Sequence, residues 1–234
     1  MTDINKQYMW EFVRGNLSVA QFEKWVYEHN TLEELLGKEF YLELISTNFQ
    51  LPNDLYEIKQ KLEGYLRESY ELSCECITLS DLAVTCIGSD LDIQILKSIK
   101  QVKLFGELCW WLSLDICQNC HQYWLIAQES RQNDVNLFRR LTKSEADNII
   151  EYNKWPKYFR RFEELLILGK ESAASVIFID PMNSFLSTSI VDLVKDRPDI
   201  SVSEIALLLN LRLNLAIDLC KKIIKEEGFK INLN

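Results

Sequence analysis

Cysteine supplies the first chemistry to weigh. Cys117-Gln118-Asn119-Cys120-His121 admits four readings. As Cys-x-x-Cys-His it matches the haem-attachment pattern, in which two thiols bond the vinyl groups and the His ligates iron. That chemistry belongs to exported chains. As a redox pair it should follow a strand and open a helix, whose positive end lowers the first thiol's pKa. An apolar, strand-like run follows it instead. As half of a zinc site it needs two more ligands, and Cys74-Glu75-Cys76 is the natural partner upstream. On one extended strand a Cys-x-Cys pair points both thiols to the same face. The fourth reading is plain packing, with thiols buried as small hydrophobes. The sequence thus predicts no bound cofactor as the ordinary outcome. Cys74, Cys76, Cys117 and Cys120 are the residues that would hold zinc if it binds.

Other catalytic arrangements find little support. The chain has two histidines, His29 and His121, and no Gly-x-Ser-x-Gly elbow. Gly169-Lys170-Glu171-Ser172 lacks both the glycine five residues earlier and the hydroxyl directly after Lys that a phosphate loop needs. Glu129-Ser130-Arg131-Gln132-Asn133-Asp134 is a polar segment between two strand candidates, open to a site loop or a plain turn. Carboxylates are plentiful, but spacing singles out no pair. The expectation is therefore a protein that is not an enzyme.

Two segments are candidates for nucleic-acid binding. Lys157-Tyr158-Phe159-Arg160-Arg161-Phe162 mixes basic and aromatic residues, as stacking surfaces do. On a helix, however, Arg160 and Glu164 are four apart and can pair, while Phe159 and Phe162 turn to the core. The final helices, opening at Ser203-Glu204-Ile205-Ala206, resemble a helix-turn-helix entry, with Ala216 where the second helix would pack. A base-reading helix should begin with polar and basic groups. This one begins Leu211-Arg212-Leu213-Asn214-Leu215. A packed helical pair is expected there.

The elements that must position these residues follow from periodicity and capping. Ser18-Val19-Ala20-Gln21, Thr31-Leu32-Glu33-Glu34, Thr142-Lys143-Ser144-Glu145 and Ser201-Val202-Ser203-Glu204 are four capping boxes, each marking a helix start. Residues 1 to about 70 read as a helical block, with Leu55, Ile58, Leu62 and Leu66 on one side of a helix from Pro52 to Arg67. From 72 to 141 the chain is richer in β-branched and aromatic residues. Strands are predicted near 82–87, 91–97, 108–115, 122–128 and 135–141, with 91–97 open to a helix as well. Tyr123-Trp124-Leu125-Ile126-Ala127 is apolar on both faces, as a central strand is. Helices return at 142, one of them spanning Tyr158 to Leu168 and closed by Gly169, and Val176-Ile177-Phe178-Ile179 reads as a short strand. The predicted fold is α+β: a helical N-terminal block (1–70), then a body (71–234) with a central, mostly antiparallel sheet and a helical C-terminal part.

The 234 residues are 47% hydrophobic and 26% charged, with 7 Gly and 4 Pro. This composition excludes disorder, collagen and low-complexity classes, and a chain of this length buries enough surface to need no disulfides. The net charge is −9, a poor start for gripping nucleic acid nonspecifically. The opening Met1–Lys6 lacks a basic region followed by an apolar stretch. Seven irregularly spaced cysteines fit reduced thiols. A cytoplasmic chain with no membrane association is expected. Residues 1–72 hold thirteen acids and seven bases, so most of the negative field sits on the helical block. There Trp25 and Tyr27, with Glu28, Glu33 and Glu34, are candidates to anchor and steer a basic partner.

The segment from Trp10-Glu11-Phe12-Val13-Arg14-Gly15 through Asn16-Leu17-Ser18-Val19-Ala20-Gln21-Phe22-Glu23-Lys24-Trp25-Val26-Tyr27, followed by Leu32-Glu33-Glu34-Leu35-Leu36-Gly37, carries a resemblance. It resembles the N-terminal segment of small cytosolic immunity proteins encoded in bacterial polymorphic-toxin and contact-dependent growth inhibition loci. The match covers about the first forty-five residues. Trp124-Leu125-Ile126-Ala127-Gln128-Glu129, with Cys117 and Cys120 before it, adds a second patch. The resemblance implies a non-enzymatic protein that binds a cognate toxin domain and blocks its active or substrate-binding surface. It transfers no contact residue. Charge logic points to a basic toxin, with a nuclease as the natural case. The alternative from a different class is a zinc- or nucleic-acid-binding regulatory protein built on the cysteine pairs and the final helices.

Overall fold

The structure is a computed structural model that describes residues 3–69, 72–107, 110–129, 135–160, 162–171 and 185–233. The chain divides into two compact units, Met1–Asp81 and Leu82–Asn234.

The first unit is helical. It contains α1 (Asp3–Val13), α2 (Val19–Glu28), α3 (Leu32–Leu36), α4 (Lys38–Ser46), α5 (Pro52–Ser69) and a 3-10 turn at Glu75–Thr78. Gly15, at φ +80°, turns the chain after α1, a backbone region costly for residues with a Cβ. Ser18 then opens α2 with a reciprocal box: its hydroxyl accepts from Gln21 N–H, and the Gln21 side chain accepts from Ser18 N–H. Thr31 differs from expectation. It is helical rather than extended and makes no side-chain cap bond, because an Ncap must leave helical geometry to present its oxygen. The core joins Met9, Phe12, Phe22, Val26, Leu32, Leu44, Ile58, Leu62 and Leu66. Phe12 and Phe22 stack with centroids 3.6 Å apart. Tyr65 hydroxyl donates to Leu35 C=O at 2.7 Å, tying α5 to α3. Arg14 donates to Ile77 C=O at 3.0 Å, and Asn16 exchanges bonds with Asp81 at 2.9 and 3.0 Å, fixing the segment that follows Cys76.

The second unit runs β1 (Leu82–Cys86), α6 (Asp90–Ser98), β2 (Ile99–Glu107), β3 (Trp110–Cys117), β4 (Tyr123–Glu129), β5 (Val135–Leu141), α7 (Lys143–Tyr152), a 3-10 turn Lys157–Phe159, α8 (Phe162–Glu171), α9 (Leu186–Asp196), α10 (Val202–Leu208) and α11 (Leu213–Glu227). The sheet order is β1-β5-β4-β3-β2 and every pairing is antiparallel. Strand β4 is therefore central, as its two apolar faces predict. Leu112, Leu114, Leu125, Ala127 and Leu137 line the face that shares a core with Ile149, Phe159, Ile190, Ile205 and Ile223 of the helical part. Thr142 and Ser201 cap α7 and α10 with complete boxes. Among the described residues the fold is α+β, with eleven α-helices and one five-stranded antiparallel sheet.

Several local expectations are corrected. Residues 91–97 are helix, not strand, because Ser89 accepts from Asp92 N–H and starts α6. Strand β2 (Ile99–Glu107) forms where the sequence pattern predicts no strand. The expected helix from Tyr158 to Leu168 begins instead as a 3-10 turn and continues as α8 through Gly169 to Glu171. The strand expected at 176–179 lies outside the described residues.

Candidate functional site

Each of the two cysteine pairs sits in its own turn. Cys74 is extended (φ −165°) just before the 3-10 turn that contains Cys76. On a strand, alternate residues sit about 7 Å apart; the turn instead brings the two Sγ atoms to 3.1 Å. The pair shares one side, as its spacing predicts, but a 3-10 turn achieves this rather than a strand. Cys117 closes β3 and Cys120 lies in the turn into β4. That turn is held by Cys117 N–H to Gln122 C=O at 2.9 Å, His121 N–H to Cys117 C=O at 3.0 Å and Gln118 N–H to Ser98 C=O at 2.8 Å. His121 takes φ +58°, which reverses the chain directly after Cys120. Cys74, Cys76 and Cys117 are buried and Cys120 is exposed. None of the six described cysteines is in a disulfide. Cys117 Sγ also lies 3.6 Å from the Ser98 hydroxyl.

The partner-surface candidates separate by burial. Tyr27 is 55% exposed, and its hydroxyl donates to Ile45 C=O at 3.1 Å, so α4 holds its ring in place. Glu28, Glu33 and Glu34 are exposed. Trp25, expected as an exposed aromatic, is only 8% exposed. It packs against Tyr8, Phe22 and His29, because the α2 stripe of Phe22 and Val26 turns it inward. His29 Nδ1 sits 2.8 Å from Trp25 C=O.

At the first basic-aromatic segment, Arg160 and Glu164 approach as the spacing predicts, at 3.9 Å, and Phe159 is fully buried. Helices α10 and α11 pack together around the buried Ala216. The turn between them passes through Asn210 at φ +55°. Leu207, Leu213 and Leu215 are exposed around that turn, an apolar tip ill suited to phosphates. Residues 130–134 of the polar segment lie outside the described residues, as does Ser172. Gly169 to Glu171 lie within α8.

Two buried acids, Asp92 and Asp115, are not among the sequence candidates. Asp92 is nearly inaccessible and accepts from Thr85 hydroxyl at 2.6 Å, Gly88 N–H at 3.1 Å and Asn136 amide at 3.0 Å. It ties α6 to β1 and β5. Asp115 shares a face of β3 with Ser113 and Cys117. It sits opposite Trp124, which is in turn opposite Arg140. Burial pushes its carboxyl up to about 6, against a lowering hydrogen bond from Ser113. The signal for Asp92 was the Ser89 cap; nothing local marks Asp115.

Comparison with protein-family models, with curated proteins and with solved structures returned no match. Among the described residues no helix is long and apolar enough to cross a membrane.

Proposed function

We propose that this chain is a non-enzymatic immunity protein of the bacterial cytosol. It binds a cognate toxin domain and covers that domain's active or substrate-binding surface. The observation that supports this reading is the α2–α3 surface. Tyr27 offers an aromatic ring whose position is already fixed by its bond to Ile45, so little side-chain entropy is lost when a partner covers it. Glu28, Glu33 and Glu34 stand exposed in the same segment, within the stretch that resembles immunity proteins. The carboxylates would speed encounter with a basic partner, while the aromatic would slow its departure. A basic, nucleic-acid-targeting toxin suits that surface.

The test is growth rescue. The full chain is expressed in cells that also express the polypeptide encoded beside it. Survival is expected, and a Glu33→Lys/Glu34→Lys double variant should slow association by about tenfold or more at low salt, with the loss shrinking as salt rises. Cell death at the same rate with and without the chain would sink the reading.

A further inference from the structure

We propose that Cys74 and Cys76 are a peroxide-reactive dithiol that closes reversibly to a disulfide within the helical unit. The inference is independent of the immunity reading. Three observations carry it. The two Sγ atoms lie 3.1 Å apart, inside the about 3.5–4.0 Å optimum of even the smaller carbon atoms, so bonding takes an approach of only about 1 Å. The backbone that brings them together is held at several points. Arg67 clasps Glu75, the residue between the thiols, with two bonds of 3.1 and 3.0 Å. Thr78 hydroxyl donates to Glu75 C=O at 2.9 Å, and Arg14 donates to Ile77 C=O at 3.0 Å. Arg67 also offsets the Glu75 charge, which would otherwise oppose a thiolate beside it. Finally, access is graded: Cys74 is 8% exposed and Cys76 is fully buried. That narrow opening suits a small oxidant such as hydrogen peroxide, and it makes Cys74 the thiol that reacts first.

The chemistry balances in two steps. Cys74 thiolate attacks one peroxide oxygen and breaks the O–O bond, giving a sulfenic acid and a hydroxide that takes up the thiol's proton as water. Cys76 sulfur then attacks Cys74 Sγ and expels the sulfenic oxygen as a second water, which carries the Cys76 proton away. Two thiols and one hydrogen peroxide thus become one disulfide and two waters, the thiols losing the two electrons that the peroxide gains. Because Cys76 already touches Cys74, it captures the sulfenic acid before a second peroxide drives it to the irreversible sulfinic state. A bridge across a single residue closes too small a loop to steady the fold through chain entropy. It is the readily reduced kind that acts as a switch, and it tightens the turn at Glu75, where Arg67 of α5 takes hold.

The test uses the full chain, purified in reducing buffer with a chelator and then freed of both. After treatment of the folded chain with hydrogen peroxide, the remaining thiols are alkylated in denaturant and the chain is mapped by mass spectrometry. It should lose two hydrogens, with Cys74 and Cys76 bridged to each other and unalkylated, and a dithiol reductant should restore both thiols. Cys86→Ser, at an exposed cysteine outside the pair, should leave bridge formation unchanged. Cys76→Ser should stop at a Cys74 sulfenic acid that dimedone traps, whereas Cys74→Ser should give neither bridge nor adduct at this pair. The parent chain alone decides the matter even where a variant fails to fold. The proposal is overturned by a treated parent chain in which Cys74 and Cys76 both remain alkylatable, or by a bridge from either of them to another cysteine. It is equally overturned by Cys74 carried to an irreversible oxide, or by a bridge that the dithiol reductant does not open.

Discussion

Asp115 is the residue whose environment most directly opposes its charge. Its carboxyl titrates near 6 in the folded chain and near 3.8 unfolded, so between those values the native state holds more protons than the unfolded one. Stability therefore falls as pH rises through this window and levels off above it. The displacement corresponds to about 3 kcal/mol. Asp115→Asn keeps the shape and can still accept from Ser113, so it should raise stability at pH 7.5 by about 1–3 kcal/mol and change little at pH 4. Urea unfolding at the two pH values checks this; an equal effect at both would contradict it. At this scale the sequence disclosed metal-ligand candidates by spacing and hid what depends on burial. Cys74, Cys76, Cys117 and Cys120 could be paired on paper because residue type and interval carry the chemistry. Trp25 could not be placed, since the α2 stripe left its side ambiguous until Tyr8 and His29 packed against it. Asp115 carries no local signature of being buried.

Elements were legible where local chemistry fixes their ends. Three of the four capping boxes form, at Ser18, Thr142 and Ser201, because side chain and backbone satisfy each other without outside help. Thr31 fails because α3 is a single short turn entered through helical backbone. A clean contrast follows. Thr142→Ala should cost about 1 kcal/mol, the usual loss of a working Ncap, whereas Thr31→Ala should stay within about 0.5 kcal/mol of the parent. Chemical denaturation of the two variants decides it, and equal losses would contradict the assignment. Residues 91–97 read as a strand because Leu91, Ile93 and Ile95 alternate. The Ser89 cap and the Asp92 contacts to Thr85 and Asn136 overrode that alternation. Strand β2 was invisible for the opposite reason. A bulge between Gln101 and Lys103 breaks its period, and Lys100 and Lys103 make this edge read as polar. Strand β4 was plain from sequence because a central strand is apolar on both faces.

For the whole molecule, fold class followed from the order of patterns: helical spacing, then β-rich segments, then helices. The pairing order β1-β5-β4-β3-β2 could not be read, because non-local partners leave no mark in local sequence. Charge is the other whole-chain property. The excess of acids over bases in residues 1–72 sits on the unit that carries Tyr27, Glu28, Glu33 and Glu34, the unit proposed to meet a basic partner first. The central claim is that this protein works by occupying another protein. The full chain should be tagged, co-expressed with the polypeptide encoded beside it and examined by native mass spectrometry after purification. The account predicts an equimolar complex that survives purification at physiological salt. A chain that emerges alone while both polypeptides are well expressed would contradict it.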